Sequence, residues 1–318
     1  MHLAWMKELV ARSQQVPSCY EAGPTGFALH RPLVARGVEN VVIAPRCLDE
    51  QGKRVNNDRT DTLQLAGRLD RYVAGNRRIF TVVRVPTEAE EQRRMWTRQG
   101  KQLQRQRLSL ASQGRSLVLT HGVSVSNGWW EERRWKRLVT ELPAGLVKAL
   151  EIFRRVIRVL EEEIGKLRAE VLAQRKPEAR PKYAGDWSME VIESEVCDWN
   201  RFGSWRKTGS YPGLTGGVSA SGQSHADLSI TKAGNRRLRT ALIEMAWRMS
   251  RHQPKYWLTR KWAAILHPEA RAHRRLRKKA IVAYARQLFI DLWRWKTGRV
   301  TAEQLGWEMT DTASPDTH

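Results

Sequence analysis

The chain has 318 residues, with 56 Lys and Arg against 33 Asp and Glu, a formal net charge of +23 and a pI near 10.7. Hydrophobic residues make up 41%, enough for a packed core, so a wholly disordered or fibrous chain is excluded, and the length suits roughly two domains. The surplus of positive charge points to a polyanionic partner, nucleic acid first. No stretch reaches the ~18 uninterrupted apolar residues that a membrane span needs. The opening eight residues lack the basic-then-apolar order of a secretory signal. Cys19, Cys47 and Cys197 match no metal spacing, and the cytoplasm is the expected compartment.

In chain order, residues 4–12 read as a helix and residues 16–20 as a short strand ending at Glu21. Residues 22–26 form a turn cluster, and a helix is expected over 27–36, stopped by Gly37. Residues 41–44 are an apolar run of strand length closed by Pro45. After a polar loop, Leu63, Ala66 and Leu69 mark a helix, and residues 79–85 read as a last strand closed by Pro86. Strands alternating with helices predict an α/β domain with partly parallel strands over 1–86.

Residues 87–175 read as a helical connector. In its first helix Trp96, Leu103, Leu110 and Leu117 recur every seven residues, with Gln99, Gln106 and Gln113 between them. That half-polar seam suits a helix docked on something wet. Its flanks are basic: Arg93, Arg94, Arg98, Lys101, Arg105, Arg107 and Arg115. In the second helix Leu146, Leu150, Phe153, Ile157, Leu160, Ile164, Leu167 and Val171 alternate spacings of four and three. A helical hairpin or a dimeric coiled coil satisfies this pattern, and the strict repeat favours the coiled coil. Residues 174–181 break the helix and read as a linker. From 176 to 300 a second, mostly helical unit is expected. It holds a Gly/Ser-rich loop at 213–223, a helix from about 233 to 250, and another over 278–295 with Ile281, Ala285, Leu288 and Leu292 on one face. The densest basic cluster, with Arg271, Arg274, Arg275, Arg277, Lys278 and Lys279, is placed ahead of that last helix. Residues 301–318 read as a polar tail.

Few residues announce chemistry by type alone. Asp58 and Asp61 lie at i and i+3 at a helix start, so both carboxylates can reach one point and hold a hard cation such as Mg²⁺. The same placement serves a helix cap equally well. Glu21 closes a strand, where α/β sheets bind ligands. Ser221 sits beside glycine in the Gly/Ser-rich loop and needs a base or a metal to become a nucleophile. Lys232, Asn235, Arg236 and Arg239 surround a turn that opens a helix, a seat for phosphate or a solvated basic face. Fourteen tryptophans offer stacking surfaces, although most Trp residues serve as core anchors.

Taken in order, several short strings resemble one family, the DEDD insertion-sequence transposases of the insertion sequence 110 and 1111 groups. In the first part these are residues 19–26 (CYEAGPTG), 42–45 (VIAP) and 57–61 (NDRTD). In the second they are residues 198–202 (DWNRF), 211–214 (YPGL), Ser221-Gly222 and 230–235 (ITKAGN), followed by Leu238-Arg239. The resemblance implies α/β plus α architecture: a partial RuvC-like, ribonuclease-H-type domain, a coiled-coil connector and a mostly helical transposase domain. It implies Mg²⁺ held by Glu21, Asp58 and Asp61 as the second, third and fourth acidic ligands. Ser221 would be the nucleophile that links covalently to a cut DNA end, and the nucleic-acid contacts would include Arg274, Arg275 and Arg277. The implied partners are DNA, a structured noncoding guide RNA and further copies of the chain in a homodimer or larger assembly. The setting would be a prokaryotic cytoplasm, at the nucleoid during transposition. Two departures stand out. The strand bearing the first acidic ligand would precede residues 4–12, so the chain reads as lacking the first strands of its RuvC-like domain. Residues 183–187 (YAGDW) replace a Gly-Ile-Gly-like turn. Two outcomes follow, a DNA-recombining enzyme or a nucleic-acid-binding remnant without catalysis.

Overall fold

In the computed structural model, which describes residues 2–12, 15–44, 58–221 and 224–310, the chain divides into two units, Met1–Thr87 and Glu88–His318. The first unit runs α1 (His2–Arg12), β1 (Pro17–Glu21), α2 (His30–Val34), β2 (Glu39–Ile43) and α3 (Asp58–Val73). β1 and β2 pair in parallel, with Tyr20 opposite Val42 and Glu21 opposite Ile43. The α/β expectation therefore holds locally as one strand–helix–strand crossover. Asn40 stitches it together, receiving α2 through His30 Nδ1 at 2.7 Å and donating to Ser18 Oγ at 2.7 Å.

Two expected elements change. The helix over 27–36 shortens to α2, because the turns at 24–29 precede it and Pro32 has no N–H to extend the ladder backwards. Residues 79–85 form no strand among the described residues. A single antiparallel bridge joins Val82 to Ile43, with Val83 N–H donating to Val42 O at 2.7 Å and Ala44 N–H to Thr81 O at 2.8 Å. Phe80 is buried there, but Thr81 and Val82 are exposed, so no continuous face is covered that would extend the pairing.

The second unit begins with a helical hairpin of α4 (Glu88–Leu119) and α6 (Ala144–Ala173), which pack together, with α5 (Glu132–Glu141) between them in sequence. Leu146, Leu150, Ile157, Ile164, Leu167 and Val171 are buried on α6, while Phe153 and Leu160 are half-buried. Within one chain the repeat packs as a hairpin of α4 and α6. On α4 the buried row is not Trp96, Leu103, Leu110 and Leu117 but the neighbouring Thr97, Gly100, Ala111, Gly114 and Val118. Small residues are needed there because indoles lie over them. Trp129 covers Gly114 and donates from Nε1 to Ala111 O at 3.0 Å, and a Cβ on Gly100 would stand 3.0 Å from Trp187.

The stretch read as a linker is a pinned strap. Arg180 is buried, its carbonyl accepts from Thr310 N–H at 2.8 Å, and Lys182 N–H donates to Glu308 O at 2.8 Å. Beyond it lie α7 (Asp186–Val196), a 3-10 turn (Trp199–Arg201) and α8 (Trp205–Ser210). The Gly/Ser-rich segment then departs from expectation. From Gly216 it is a strand, β3 (Gly216–Ser221), paired antiparallel with β4 (Ser224–Ile230). The unit closes with α9 (Arg236–His252), α10 (Trp257–Leu266), α11 (Arg274–Lys296) and α12 (Ala302–Leu305). Its core sets Leu238, Leu242 and Met245 of α9 against Tyr284, Leu288 and Phe289 of α11 and Met189 and Ile192 of α7. Ile281, Ala285, Leu288 and Leu292 are buried together, as their spacing predicts. Trp129, Trp130, Trp135, Trp293 and Trp307 are buried anchors.

Candidate functional site

Glu21 ends β1 at the C-terminal edge of the parallel pair. Its Oε1 is shielded from solvent and has no hydrogen-bond partner among the described residues. A buried carboxylate oxygen without a donor is costly, and a hard cation would relieve that cost. α3 packs against β1 and begins at Asp58, with half-buried Asp61 one turn further on. The Asp58 side chain lies outside the described residues. The two elements that carry these acidic positions, β1 and α3, pack against each other. Among the described residues no group of three or more His, Cys, Asp or Glu side chains stands ready-made for a metal. The chemistry of the donors fits Mg²⁺, and Glu21 carries that fit.

Ser221 is the last residue of β3 and pairs with Ser224 across the hairpin, while Ser219 pairs with Ala226. The neighbouring His225 pairs with Ala220, not with Ser221. The nucleophile candidate thus sits on a strand end, not in an open loop.

The corner that follows is built more tightly than its sequence suggests. Lys232 has φ +55° and Gly234 φ +158°, and a Cβ on Gly234 would overlap Tyr211 O. Asn235 caps α9, its Oδ1 accepting from Arg237 N–H and Leu238 N–H at 3.0 Å each. Its Nδ2 donates to Glu195 Oε2 at 2.7 Å. Arg239 donates to Pro212 O at 2.8 Å and Lys232 O at 3.3 Å. Two of the backbone donors at this helix start are therefore taken by Asn235. Lys232 and Arg236 remain exposed at the corner.

Behind the corner a buried carboxylate joins three helices. Glu195 of α7 receives Arg98 of α4 through two bonds of 3.0 Å, with Arg94 at 3.8 Å. Burial alone would raise its pKa, but the hydrogen bonds from Arg98 and Asn235 hold it below the usual value. One turn back, Arg93 forks onto Glu190 with two bonds of 2.5 Å and reaches Glu193 at 3.1 Å. Residue type alone does not reveal these pairs. The available signal is a run of acids, Glu190, Glu193 and Glu195, in an otherwise strongly basic chain.

The second basic region also moves. Arg274, Arg275, Arg277, Lys278 and Lys279 belong to the first turns of α11 rather than preceding it. His273 caps the helix, accepting from Arg275 N–H at 3.3 Å. Arg274 and Arg275 are exposed, whereas Arg277 is half-buried and donates to Leu266 O at 3.4 Å. From Arg260 to Lys279 the one acidic residue is Glu269, so this surface is a strongly positive one.

Residues 184–261, from just before α7 into α10, match the family model described as Transposase IS116/IS110/IS902 family. The hairpin bearing Ser221 and the capped start of α9 both fall inside that span. The chain is 31% identical over 314 residues to "Putative transposase y4rJ" of Sinorhizobium fredii (strain NBRC 101917 / NGR234), covering 89% of this chain and 77% of the relative. It is 33% identical over 247 residues to "Putative transposase y4qE" of the same strain, covering 76% of this chain and 60% of that relative. The chain belongs to the IS116/IS110/IS902 family of transposases.

Proposed function

We propose that this transposase cuts and rejoins DNA through Ser221, with Glu21, Asp58 and Asp61 as Mg²⁺ ligands and a structured RNA choosing the sites. The Ser221 hydroxyl forms a bond to a backbone phosphorus, its proton leaves to a base or solvent, and the displaced bridging oxygen departs as a strand-end hydroxyl. Attack by a hydroxyl of another strand reverses the step, joining new ends and freeing the serine. Bound Mg²⁺ would supply charge neutralisation at the phosphate. The first unit is read as a RuvC-like part that carries the carboxylates, and the positive corner and α11 surface as nucleic-acid contacts. A homodimer is the proposed working form, supported by the exposed apolar row Ile152, Val156 and Val159 on α6.

The observation that carries the reading is the position of Ser221, on a hairpin within the family-matched span. The test combines the purified chain, Mg²⁺, DNA bearing the ends of the insertion sequence and the RNA transcribed from it. A detergent-resistant protein–DNA adduct is expected, absent in Ser221→Ala and reduced by at least about 100-fold in Asp61→Asn. An undiminished adduct with Ser221→Ala overturns the assignment. Nucleic-acid binding by the unaltered chain without any adduct would leave binding as its activity.

A further inference from the structure

A small cleft of about 70 Å³ opens where α4, α6, α7 and α9 meet, beside the first turn of α9. Lys101, Gln104, Arg168, Trp187, Arg237 and Glu244 are among its walls. Three cations therefore face one carboxylate. Lys101 and Glu244 stand 3.9 Å apart and are both about half exposed, so water screens that pair. Arg168 lies over the Trp187 ring at 5.3 Å, with its Nε shielded from solvent and lacking any hydrogen-bond partner among the described residues. Arg237 gives its backbone N–H to Asn235, yet no carboxylate pairs with its guanidinium among the described residues.

We infer that this cleft seats a phosphodiester of a nucleic-acid backbone, gripped by Arg168 and Arg237 and neutralised further by Lys101. Arg168 is half-buried with an unpartnered Nε, and an anion held between it and the exposed Arg237 and Lys101 would offset the cost of that burial. The electrostatics agree. Arg168 is held below its usual pKa by burial and then by Arg107. Arg237 is lowered by burial and then by Arg98, with Glu195 opposing and Arg105 and Arg94 adding to the shift. The space suits a phosphate rather than a base, and guanidinium forks match phosphate oxygens in pairs. Arg236, next to Arg237 on α9, and Arg105, one turn beyond Lys101 on α4, are both exposed and extend the path for a strand on either side.

The inference rests on nucleic acid being the partner, and the test separates the two. Binding of the full chain to labelled single-stranded DNA, duplex DNA and an RNA hairpin is measured across a salt series. With Arg168→Gln/Arg237→Gln, affinity for at least one polymer should fall about tenfold, and the slope of log affinity against log salt should shrink by about one contact, roughly 0.7–0.9. The polymer showing that change identifies the strand that occupies the cleft. Arg133→Gln/Arg137→Gln on α5 removes equal charge outside the cleft and should leave the slope unchanged. If Arg168→Gln impairs folding, Lys101→Gln/Arg237→Gln, both exposed, carries the same expectation. Slopes equal to those of the unaltered chain, or a loss matched by the α5 variant, overturn the cleft alone. Failure of the unaltered chain to bind any polymer overturns the nucleic-acid reading and the cleft with it.

Discussion

Glu195 and Asp291 are both fully buried acids, yet their surroundings push them in opposite directions. Glu195 is met by charged donors and stays ionised more easily than a free carboxyl. Its contribution to stability is present above the unfolded value of 4.5 and is lost as pH falls through the lower folded value. Asp291 accepts from Tyr256 Oη at 2.7 Å, Trp257 Nε1 at 2.9 Å and Gln287 Nε2 at 3.0 Å. Burial raises its pKa despite these bonds. It therefore favours the fold below its unfolded value of 3.8, and that benefit is lost as pH rises through the higher folded value. Glu195→Gln should cost about 1–3 kcal/mol at neutral pH, since buried donors lose a charged acceptor. It should also flatten the loss of stability below pH 4.5. Asp291→Asn keeps a carbonyl for Tyr256 and Trp257 and should cost no more than about 1 kcal/mol, whereas Asp291→Leu strands both donors and should cost about 3 kcal/mol. Urea unfolding at neutral and acid pH distinguishes these outcomes.

The helical hairpin turns glycine into two opposite tests. Gly114 on α4 and Gly165 on α6 both lie inside helices, where Ala is preferred by about 1 kcal/mol. A Cβ at Gly114 would overlap the buried Trp129 ring, while at Gly165 it would meet nothing. Gly114→Ala should therefore destabilise by about 1–3 kcal/mol, and Gly165→Ala should stabilise by about 0.5–1 kcal/mol. Thermal melts should move in opposite directions. The same seam explains what was legible in the sequence. The row on α6 was readable because large apolar residues mark it directly. The row on α4 was not, because Gly100 and Gly114 are buried by indoles that arrive from other segments. The parallel pair of β1 and β2 follows from apolar runs and turn residues, whereas β3 hid behind its Gly and Ser content and is defined by its partner β4. At the candidate site, Glu21 was legible as a strand end. The roles of Asn235 and Arg239 were not, since their partners Glu195 and Pro212 lie 40 and 27 residues away.

At the scale of the whole molecule the two units are unequally furnished. Among the described residues, the first buries Leu33, Val38, Val42, Ile43 and Phe80, whereas the second holds two large clusters. Two paired strands offer little stability of their own. Amide exchange in β1 and β2 should therefore be at least about 100-fold faster than in α9 and α11, as hydrogen–deuterium exchange by NMR or mass spectrometry would report. Equal protection in the two units would show that the first is stabilised by more than its own buried residues. The strap at Arg180 bears on how the second unit is assembled. Because Thr310 N–H meets Arg180 O and Lys182 N–H meets Glu308 O, the chain returns to its point of departure after 130 residues. Everything between, including the hairpin with Ser221, the capped corner and the α11 surface, starts and ends at one narrow stem and is tied to α4 a second time through α7. Such a module has adjacent ends, but transplanted into a loop of another protein it would leave Glu190 and Glu195 buried without Arg93 and Arg98, so α4 has to travel with it.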